Sequence, residues 1–405
     1  MRVLYFHQHF STPAGAAGTR SYEMARRLIA HGHSVTLVCG RYTLGQTGVL
    51  EQFVRGRRRG MVDGIDVIEF DLSYSNDDKF LKRMAIFVKY ALGSIKIALR
   101  ERYDLAFATT TPLTAGIPGI FAHWFRGKPF VFEVRDLWPE LPRAMGVITN
   151  PIVLAAMSAL EWISYRSAIR CVALSPGIAR GIARRGVDTD RIATVPNGCD
   201  MALFRQYGER WRPSNVRNSD FLAVFTGSHG IANGLDAVLN AADVLRSRRR
   251  DDIKLLLIGD GKLKRGLVAD ANRRGLTNVI FHEPVSKHRL AGLLASADIG
   301  MQILANVPAF YYGTSPNKFF DYIAAGLPVL NNYPGWLAEM ITDFDAGIVV
   351  PPDNAEAFAD ALERAANGRD ALGRMGRNAG KLAQSFDRAK LSDAWSVWVT
   401  EGLRI

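Results

Sequence analysis

Short apolar runs, each closed by a glycine-bearing or polar turn and followed by an amphipathic stretch, recur along the chain. In the first half Arg2–Phe6, 34–39, Leu105–Thr109, Phe130–Val134, 171–174 and 193–195 read as buried strands. Arg20–Ala30, 152–166 and 178–185 carry the helical spacing between them. Strand, loop, helix, strand is how a doubly wound parallel sheet begins, and such sheets bind ligands at the carboxyl ends of their strands. The pattern restarts at 222–226, where Gly227, Gly230 and Gly234 lead into a helix over 235–247. It continues through 254–258 with Gly259-Asp260-Gly261, then 279–281 and 297–300. The expected fold class is therefore α/β, two Rossmann-like doubly wound domains facing across a cleft. The polar, unpatterned run 205–219 reads as their junction. The expected domains are 1–200, 201–385 and a terminal helix, 386–405. Trp395 and Trp398 make that helix too apolar for a free tail, so it is expected to dock back on the N-terminal domain.

Residues 311–330 read as a loop, a short helix and a buried strand. Ser315 before Pro316 predicts a capped start, and Gly326 followed by Pro328 predicts the stop. Asn317, Lys318 and Asp321 then share one flank near a helix start, where free N–H groups favour an anion. A nucleoside diphosphate suits that arrangement, with phosphates at the tip and a ribose one turn down. A surface helix with a Lys318–Asp321 ion pair is the alternative.

Further candidates lie in the first half. Gly15-Ala-Ala-Gly18-Thr-Arg20 departs from the dinucleotide fingerprint, so a nicotinamide cofactor is not expected. Its small residues allow a close backbone approach, and Arg20 suits an acidic group, unless the loop is an ordinary tight turn. Arg135-Asp136-Leu-Trp-Pro-Glu140 follows a buried strand. There Asp136 and Glu140 suit an acceptor hydroxyl and Arg135 an anion, the alternative being an Arg135–Asp136 ion pair pinned by Trp138. The run 56–60 reads as a solvated basic loop. Over 79–102, Lys79, Lys82, Lys89, Lys96 and Arg100 fall on one helical face beside a broad apolar one. That pattern suits either an anionic lipid surface or a core helix with solvated lysines.

Composition narrows the class. With 405 residues, 48% of them hydrophobic, the chain has material for more than one core, and disordered or fibrous classes are excluded. The net charge of +12 is uneven, since residues 1–200 hold 26 Lys+Arg against 17 Asp+Glu. Such a field attracts nucleic acid, anionic lipid or a phosphorylated substrate. The basic residues are not interleaved with aromatics as a nucleic-acid groove would have them, so no nucleic-acid partner is expected. Cys39, Cys171 and Cys199 are too scattered for a disulfide framework or metal site. Asp343-Phe-Asp345 reads as a turn, and no metal or other cofactor is expected. No apolar run is long enough to span a membrane, and the first strand is too short for a signal-peptide core.

Several segments together resemble the retaining family 4 glycosyltransferases of GT-B fold. They are Gly15 to Arg20, Pro196-Asn-Gly-Cys-Asp200, Thr226-Gly227, Gly259-Asp-Gly261 and Pro316-Asn-Lys-Phe-Phe-Asp321-Tyr-Ile-Ala-Ala-Gly326-Leu-Pro328. The Arg135-Asp-Leu-Trp-Pro-Glu140 run is most similar to the branch assembling bacterial O-antigen and capsular polysaccharide, which includes amino-sugar transferases. The resemblance implies a nucleotide-sugar donor, UDP-linked, on the C-terminal domain, and a lipid-linked saccharide acceptor on the N-terminal one. It implies a cytoplasmic enzyme, peripheral on the inner face of the cell membrane. Gly15 and Gly18 would border the sugar diphosphate, and Gly227, Ser228, Gly259, Gly261 and Lys262 would belong to the donor loops. Asn317 and Lys318 would meet the diphosphate and Asp321 the ribose; Arg135 and Asp136 would serve catalysis with Lys318, and Arg20, Asp136 and Glu140 the acceptor.

Three departures matter. Gly313 stands where the family's first acid belongs, and Ser228 and Asn233 replace the arginine and lysine common in the glycine turn. Lys318 is then the leading cation for the departing diphosphate, with Lys262 and Arg265 behind it. A sugar-nucleotide epimerase on the same fold and a basic nucleic-acid-binding protein are the alternative functions.

Overall fold

A computed structural model describes residues 1–15, 17–75, 78–206 and 208–402. Ala16 of the first glycine loop, Tyr207 of the polar run and the last three residues of the terminal segment lie outside the described residues. The chain divides into two compact units. One holds Met1–Asn197, Tyr312–Ser315 and Ala389–Ile405, the other Gly198–Tyr311 and Pro316–Arg388. The polar run 208–219 belongs to the second unit.

The first unit contains β1 (Arg2–Phe6), β2 (Ser34–Tyr42), β3 (Arg57–Val62), β4 (Ile65–Tyr74), β5 (Leu105–Thr109), β6 (Phe130–Val134), β7 (Arg170–Ala173) and β8 (Ile192–Thr194). They form one sheet in the order β3-β4-β2-β1-β5-β6-β7-β8, parallel except for the β3–β4 pair. Alternate side chains feed two cores. Leu4, Phe6, Ala106, Phe130 and Phe132 enter one, while Val3, Tyr5, Leu105, Phe107 and Val131 enter the other. β5 and β6 are buried along their whole length, as strands covered on both faces must be.

The basic run 56–60 is a correction. It is mostly β3, an edge strand whose arginines meet acids on its neighbour: Arg58 with Glu69 (2.8 Å) and Arg59 with Asp66 (2.6 Å). Asp63 and Gly64 turn the chain back with φ of 50° and 85°, the Asp-Gly signal of a tight hairpin. The charges hid a strand because its outer face and edge carry no apolar alternation.

The helix Phe80–Arg100 packs one face into the core and leaves the other exposed. Ile86, Phe87, Tyr90, Ala91, Ile97 and Ala98 are buried. Its outer face exposes Leu81 (80%), Val88 (52%), Leu92 (57%) and Leu99 (39%), flanked by exposed Lys82, Lys89, Lys96 and Arg100. Among the described residues no helix is long and apolar enough to cross a membrane.

The second unit contains β9 (Phe221–Thr226), β10 (Ile253–Ile258), β11 (Val279–His282), β12 (Ile299–Gln302), β13 (Val329–Asn331) and β14 (Gly347–Val349). They form a parallel sheet in the order β11-β10-β9-β12-β13-β14; Phe221, Ala223, Phe225, Leu255 and Leu257 enter one core cluster, and the alternate residues Leu222, Val224 and Leu256 are buried as well. In this unit the chain reverses its direction of winding between β9 and β12, and in the first unit between β1 and β5. Those are the points where a doubly wound sheet leaves a crevice at its carboxyl edge. Asp343 ends the helix Trp336–Asp343, and Asp345 turns with φ of 46° while pairing with Arg374. Among the described residues no three His, Cys, Asp or Glu side chains gather as metal ligands would.

The final helix, Arg388–Thr400, packs on the first sheet. Trp395 is fully buried, its ring edge-on to Phe107 at 5.1 Å and near Tyr5. Arg170 donates to the carbonyls of Trp398 and Glu401, satisfying the helix end. Trp395→Ala is expected to destabilise the chain by about 3–5 kcal/mol, the range for emptying a large aromatic site, read by urea denaturation with the m-value unchanged.

Candidate functional site

In the second unit the site is built by the helix Asn317–Ala324. It starts one residue later than the serine cap predicts. Pro316 is the N-cap residue and gives no side-chain cap. Ser315 is engaged elsewhere: Asn197 donates its N–H to Ser315 Oγ (3.0 Å) and its Nδ2 to the Ser315 carbonyl (2.6 Å). The stop is as expected. Gly326 has φ of 66°, and the N–H groups of Leu327 and Gly326 return to the carbonyls of Tyr322 and Ile323, at 2.9 and 3.0 Å.

Tyr322 places this helix. Its ring lies against Gly300 of β12, where an added Cβ would come within 2.5 Å, and its hydroxyl accepts the Thr226 N–H at the end of β9 (2.9 Å). One turn earlier, Lys318 is thereby set beside Gly227, whose added Cβ would lie 3.4 Å from Lys318 Cε. Lys318 Nζ donates to Asn233 Oδ1 (2.6 Å) and sits 4.2 Å from the Phe225 ring centroid. Among the described residues no carboxylate lies within ion-pair distance of it. Burial alone pushes its pKa down to about 7.

The glycine turns pack backbone against backbone. A Cβ at Gly259 would stand 1.8 Å from the Gly227 carbonyl oxygen, and one at Gly261 within 3 Å of the His229 backbone. The Ser228 carbonyl accepts from Asn233 Nδ2 (2.7 Å), fixing the amide whose oxygen meets Lys318. Gly227, Ser228, Gly259, Gly261 and Lys318 are thus neighbours, with half-exposed Asn317 at the helix start. Lys262 and Arg265 are exposed.

The proposed Lys318–Asp321 ion pair does not form. Asp321 is buried and bound to Lys287, which also lies 3.7 Å from Asp200, itself held by Arg388 (2.9 Å). Burial still outweighs these cations and raises the Asp321 pKa. His229 is another residue that spacing did not reveal. It is fully buried with neither ring nitrogen partnered among the described residues, and burial lowers its pKa to about 4.

In the first unit Arg20 requires a correction. Its guanidinium is buried and consumed by Glu133 (2.8 and 3.1 Å) and by the carbonyls of Val195 and Pro196. It ties the β6 end to the chain beyond β8 and leaves little for an acceptor. Gly15 approaches its own chain: an added Cβ would meet Ser11 Oγ at 2.4 Å and Gln46 N at 2.8 Å. Gly18 is exposed in the same loop. Glu140 is also exposed, 3.6 Å from Arg184.

Arg135 and Asp136 do come to the carboxyl edge, and they do not pair with each other. Asp136 accepts from Thr111 Oγ1 (3.1 Å), and burial raises its pKa. Arg135 turns to His7, its Nη1 lying 3.4 Å from Nε2. His7 was visible in sequence only as the first polar residue after the first strand. Chain order gave no sign that it meets a residue of β6's loop.

Residues 15–198 match the Glycosyl transferase 4-like domain, and residues 220–367 match Glycosyl transferases group 1. The chain is built from the two domains of a family 4-type glycosyltransferase. A D-inositol 3-phosphate glycosyltransferase of Paenarthrobacter aurescens is 31% identical over 231 residues, 54% of each chain. The chain spans about half the length of the first such curated relatives. A putative colanic acid biosynthesis glycosyl transferase, WcaI of Escherichia coli, is 21% identical across 90% of this chain and 92% of its own. Among solved structures, Anabaena Alr3699/HepE in complex with UDP-glucose superposes over the whole of both chains, with a TM-score of 0.69 at 17% identity. That likeness shows the GT-B fold, whose two glycosyltransferase domains are the two parallel-sheet units.

Lys318 gives these glycosyltransferase domains a pH signature. Burial holds its pKa down to about 7, and a diphosphate bound beside it would favour the charged form, so that such binding would take up a proton. Apparent UDP affinity is expected to fall as pH rises above 7, by up to about tenfold per unit. Calorimetry in buffers of different ionisation enthalpy reads the proton directly, and Lys318→Gln is expected to flatten the profile.

Proposed function

We propose that the chain is a retaining glycosyltransferase that moves a sugar from a UDP-sugar to a lipid-linked saccharide in bacterial surface polysaccharide assembly. The observation that carries this reading is the part-buried Lys318 ammonium, without a carboxylate partner among the described residues, at the head of a helix where the second sheet reverses. A leaving nucleoside diphosphate supplies the missing charge, and the first N–H groups of the helix add to it. Asn233 holds the ammonium in place where relatives of this type carry a second cation. The UDP-glucose in the HepE complex supports the donor class, and the WcaI relative supports the polysaccharide role. The second unit takes the donor and the first takes the acceptor, whose hydroxyl Asp136 orients. The acceptor oxygen bonds to the anomeric carbon on the face the donor leaves, as the bond from that carbon to the diphosphate oxygen breaks and the hydroxyl proton passes to the departing diphosphate.

Asp321 enters this reading with Lys287 beside it. A ribose hydroxyl pair can donate to the carboxylate, and Lys287 offsets part of its burial. The reaction needs no metal in this account, because Lys318 and the helix carry the leaving-group charge.

The outer face of Phe80–Arg100 brings the protein to its acceptor. Leucines at 81, 92 and 99 with Val88 enter the headgroup region of a bilayer, while the adjacent lysines meet anionic lipid. In this reading the enzyme works peripherally on the inner face of the cell membrane.

Two outcomes are expected. Lys318→Ala should lower donor-saturated turnover by about 100-fold or more, the loss typical of removing a main transition-state charge contact, in a radiolabelled transfer assay with a lipid-linked acceptor. Isomerised UDP-sugar formed without acceptor would instead favour an epimerase. In sedimentation with vesicles containing phosphatidylglycerol, Leu81→Gln/Leu92→Gln should weaken binding by about tenfold, and neutral vesicles should bind little.

A further inference from the structure

Lys318 and Asp321 lie three residues apart on the helix Asn317–Ala324, a spacing at which opposite charges on a helix meet. They do not meet. Lys318 Nζ turns to Asn233 Oδ1 (2.6 Å), and the Asp321 carboxylate accepts from Lys287 Nζ at 2.5 Å. Burial alone lowers the Lys318 pKa, while the cations that act on Asp321 are Lys287 and Arg388.

Lys287 opens the helix Lys287–Leu294, directly after the capping Ser286. A cation at that end opposes the helix dipole, so tertiary contacts decide its place. Besides Asp321, its Nζ lies 3.7 Å from Asp200 and 5.7 Å from the centre of the Phe204 ring. Asp200 is held in turn by Arg388 Nε (2.9 Å), and Arg388 Nη2 donates to the Gly198 carbonyl (2.8 Å). Cys199 Sγ donates to the carbonyl of Phe320, the residue before Asp321 (3.2 Å). Two acids and two cations thus balance one another without drawing on Lys318. The pair is not sealed, since the Lys287 side chain keeps 16% exposure and that of Asp321 6%.

We propose that Lys287 is a positioning residue of the donor site: by holding Asp321 it keeps that carboxylate from closing on Lys318, and so leaves the Lys318 ammonium open to a diphosphate. A lysine has a flexible four-carbon stem, free to swing between an amide oxygen and a carboxylate one turn away. The charged acceptor makes the stronger bond of the two. Without Lys287, Asp200 keeps Arg388 and Asp321 loses its direct cation. Lys318 then leaves Asn233 for Asp321, and an incoming diphosphate has to displace a carboxylate instead of an amide. This rests on the reading that Lys318 meets the donor's diphosphate.

The test begins without ligand, as an NMR titration of the full chain carrying ¹³C-labelled lysine, with the Lys318 signal assigned by its loss in Lys318→Gln. Lys287, Asp200, Arg388, Cys199 and Tyr322 face Asp321, and His229 stands near Lys318. Burial takes His229 down to about 4 and lifts the Cys199 thiol and Tyr322 phenol, so none of these three imitates a break near 7. Lys287→Met is expected to raise the Lys318 break by about one unit or more, as a neighbouring carboxylate does for a cation. Lys287→Arg, which can still hold Asp321, should leave it in place. Lys287→Met/Asp321→Asn, which removes both charges, should return it, an outcome that general loosening of the fold does not give. Calorimetry should then find UDP bound to Lys287→Met about tenfold more weakly at neutral pH, with its pH dependence displaced upward to match. Thermal melts show which variants fold, and Lys287→Gln, whose amide donates to Asp321 without neutralising it, stands in if Lys287→Met does not. An unchanged break in the folded variant, or a raised one that persists in the double variant, overturns the proposal. Failure of UDP to bind the wild-type chain overturns the donor reading instead, and the ligand-free titration is read independently of it.

Discussion

Each of the two sheets carries at its carboxyl edge a cation, Lys318 or Arg135, that forms no ion pair with a carboxylate among the described residues. A buried ammonium or guanidinium of this kind is unfavourable for folding by itself, since desolvation is not offset by Coulomb attraction. Lys318 answers this cost partly by shedding its proton, which an ammonium can do and a guanidinium cannot. Arg135 keeps its charge at half burial and leans on a neutral imidazole. Much of the surrounding construction holds these two groups in place: Tyr322 wedged against Gly300, Asn233 tied to the Ser228 carbonyl, and Thr110 Oγ1 accepting the Arg135 N–H.

Other charges in the same protein are paired within it. Arg20 is closed off by Glu133 and two carbonyls, with Thr109 completing the carboxylate. Asp321 is held by Lys287 within a network reaching Asp200 and Arg388. These satisfied pairs lock the loops from which the unsatisfied groups project. The glycines at 227 and 259 do the complementary task, since their turns touch through backbone atoms and any side chain at 259 would separate them. A rigid frame around an uncompensated charge is what a diphosphate site needs, because a mobile cation would neutralise itself against the nearest acid.

The chain's own residues determined a good deal. Apolar runs closed by glycine turns announced two parallel sheets, because a strand covered on both faces must be apolar along its length. Ser315-Pro316 and Gly326-Leu-Pro328 marked a short helix to within one residue, since capping and turn chemistry are local. Lys318 stood out because Ser228 and Asn233 had displaced the usual cations. Tertiary structure alone decided the partners. Lys287 lies 34 residues before Asp321, and His7 lies 128 residues before Arg135. No periodicity carries such pairings. Arg20 looked available and was spent, while the arginines of 57–59 looked like a loop and formed a strand, because the acids they meet lie on a neighbouring strand. Which charges are neutralised depends on what the fold brings within about 4 Å, the range over which an ion pair forms. That distance is set by packing, and in this protein packing left Lys318 and Arg135 open.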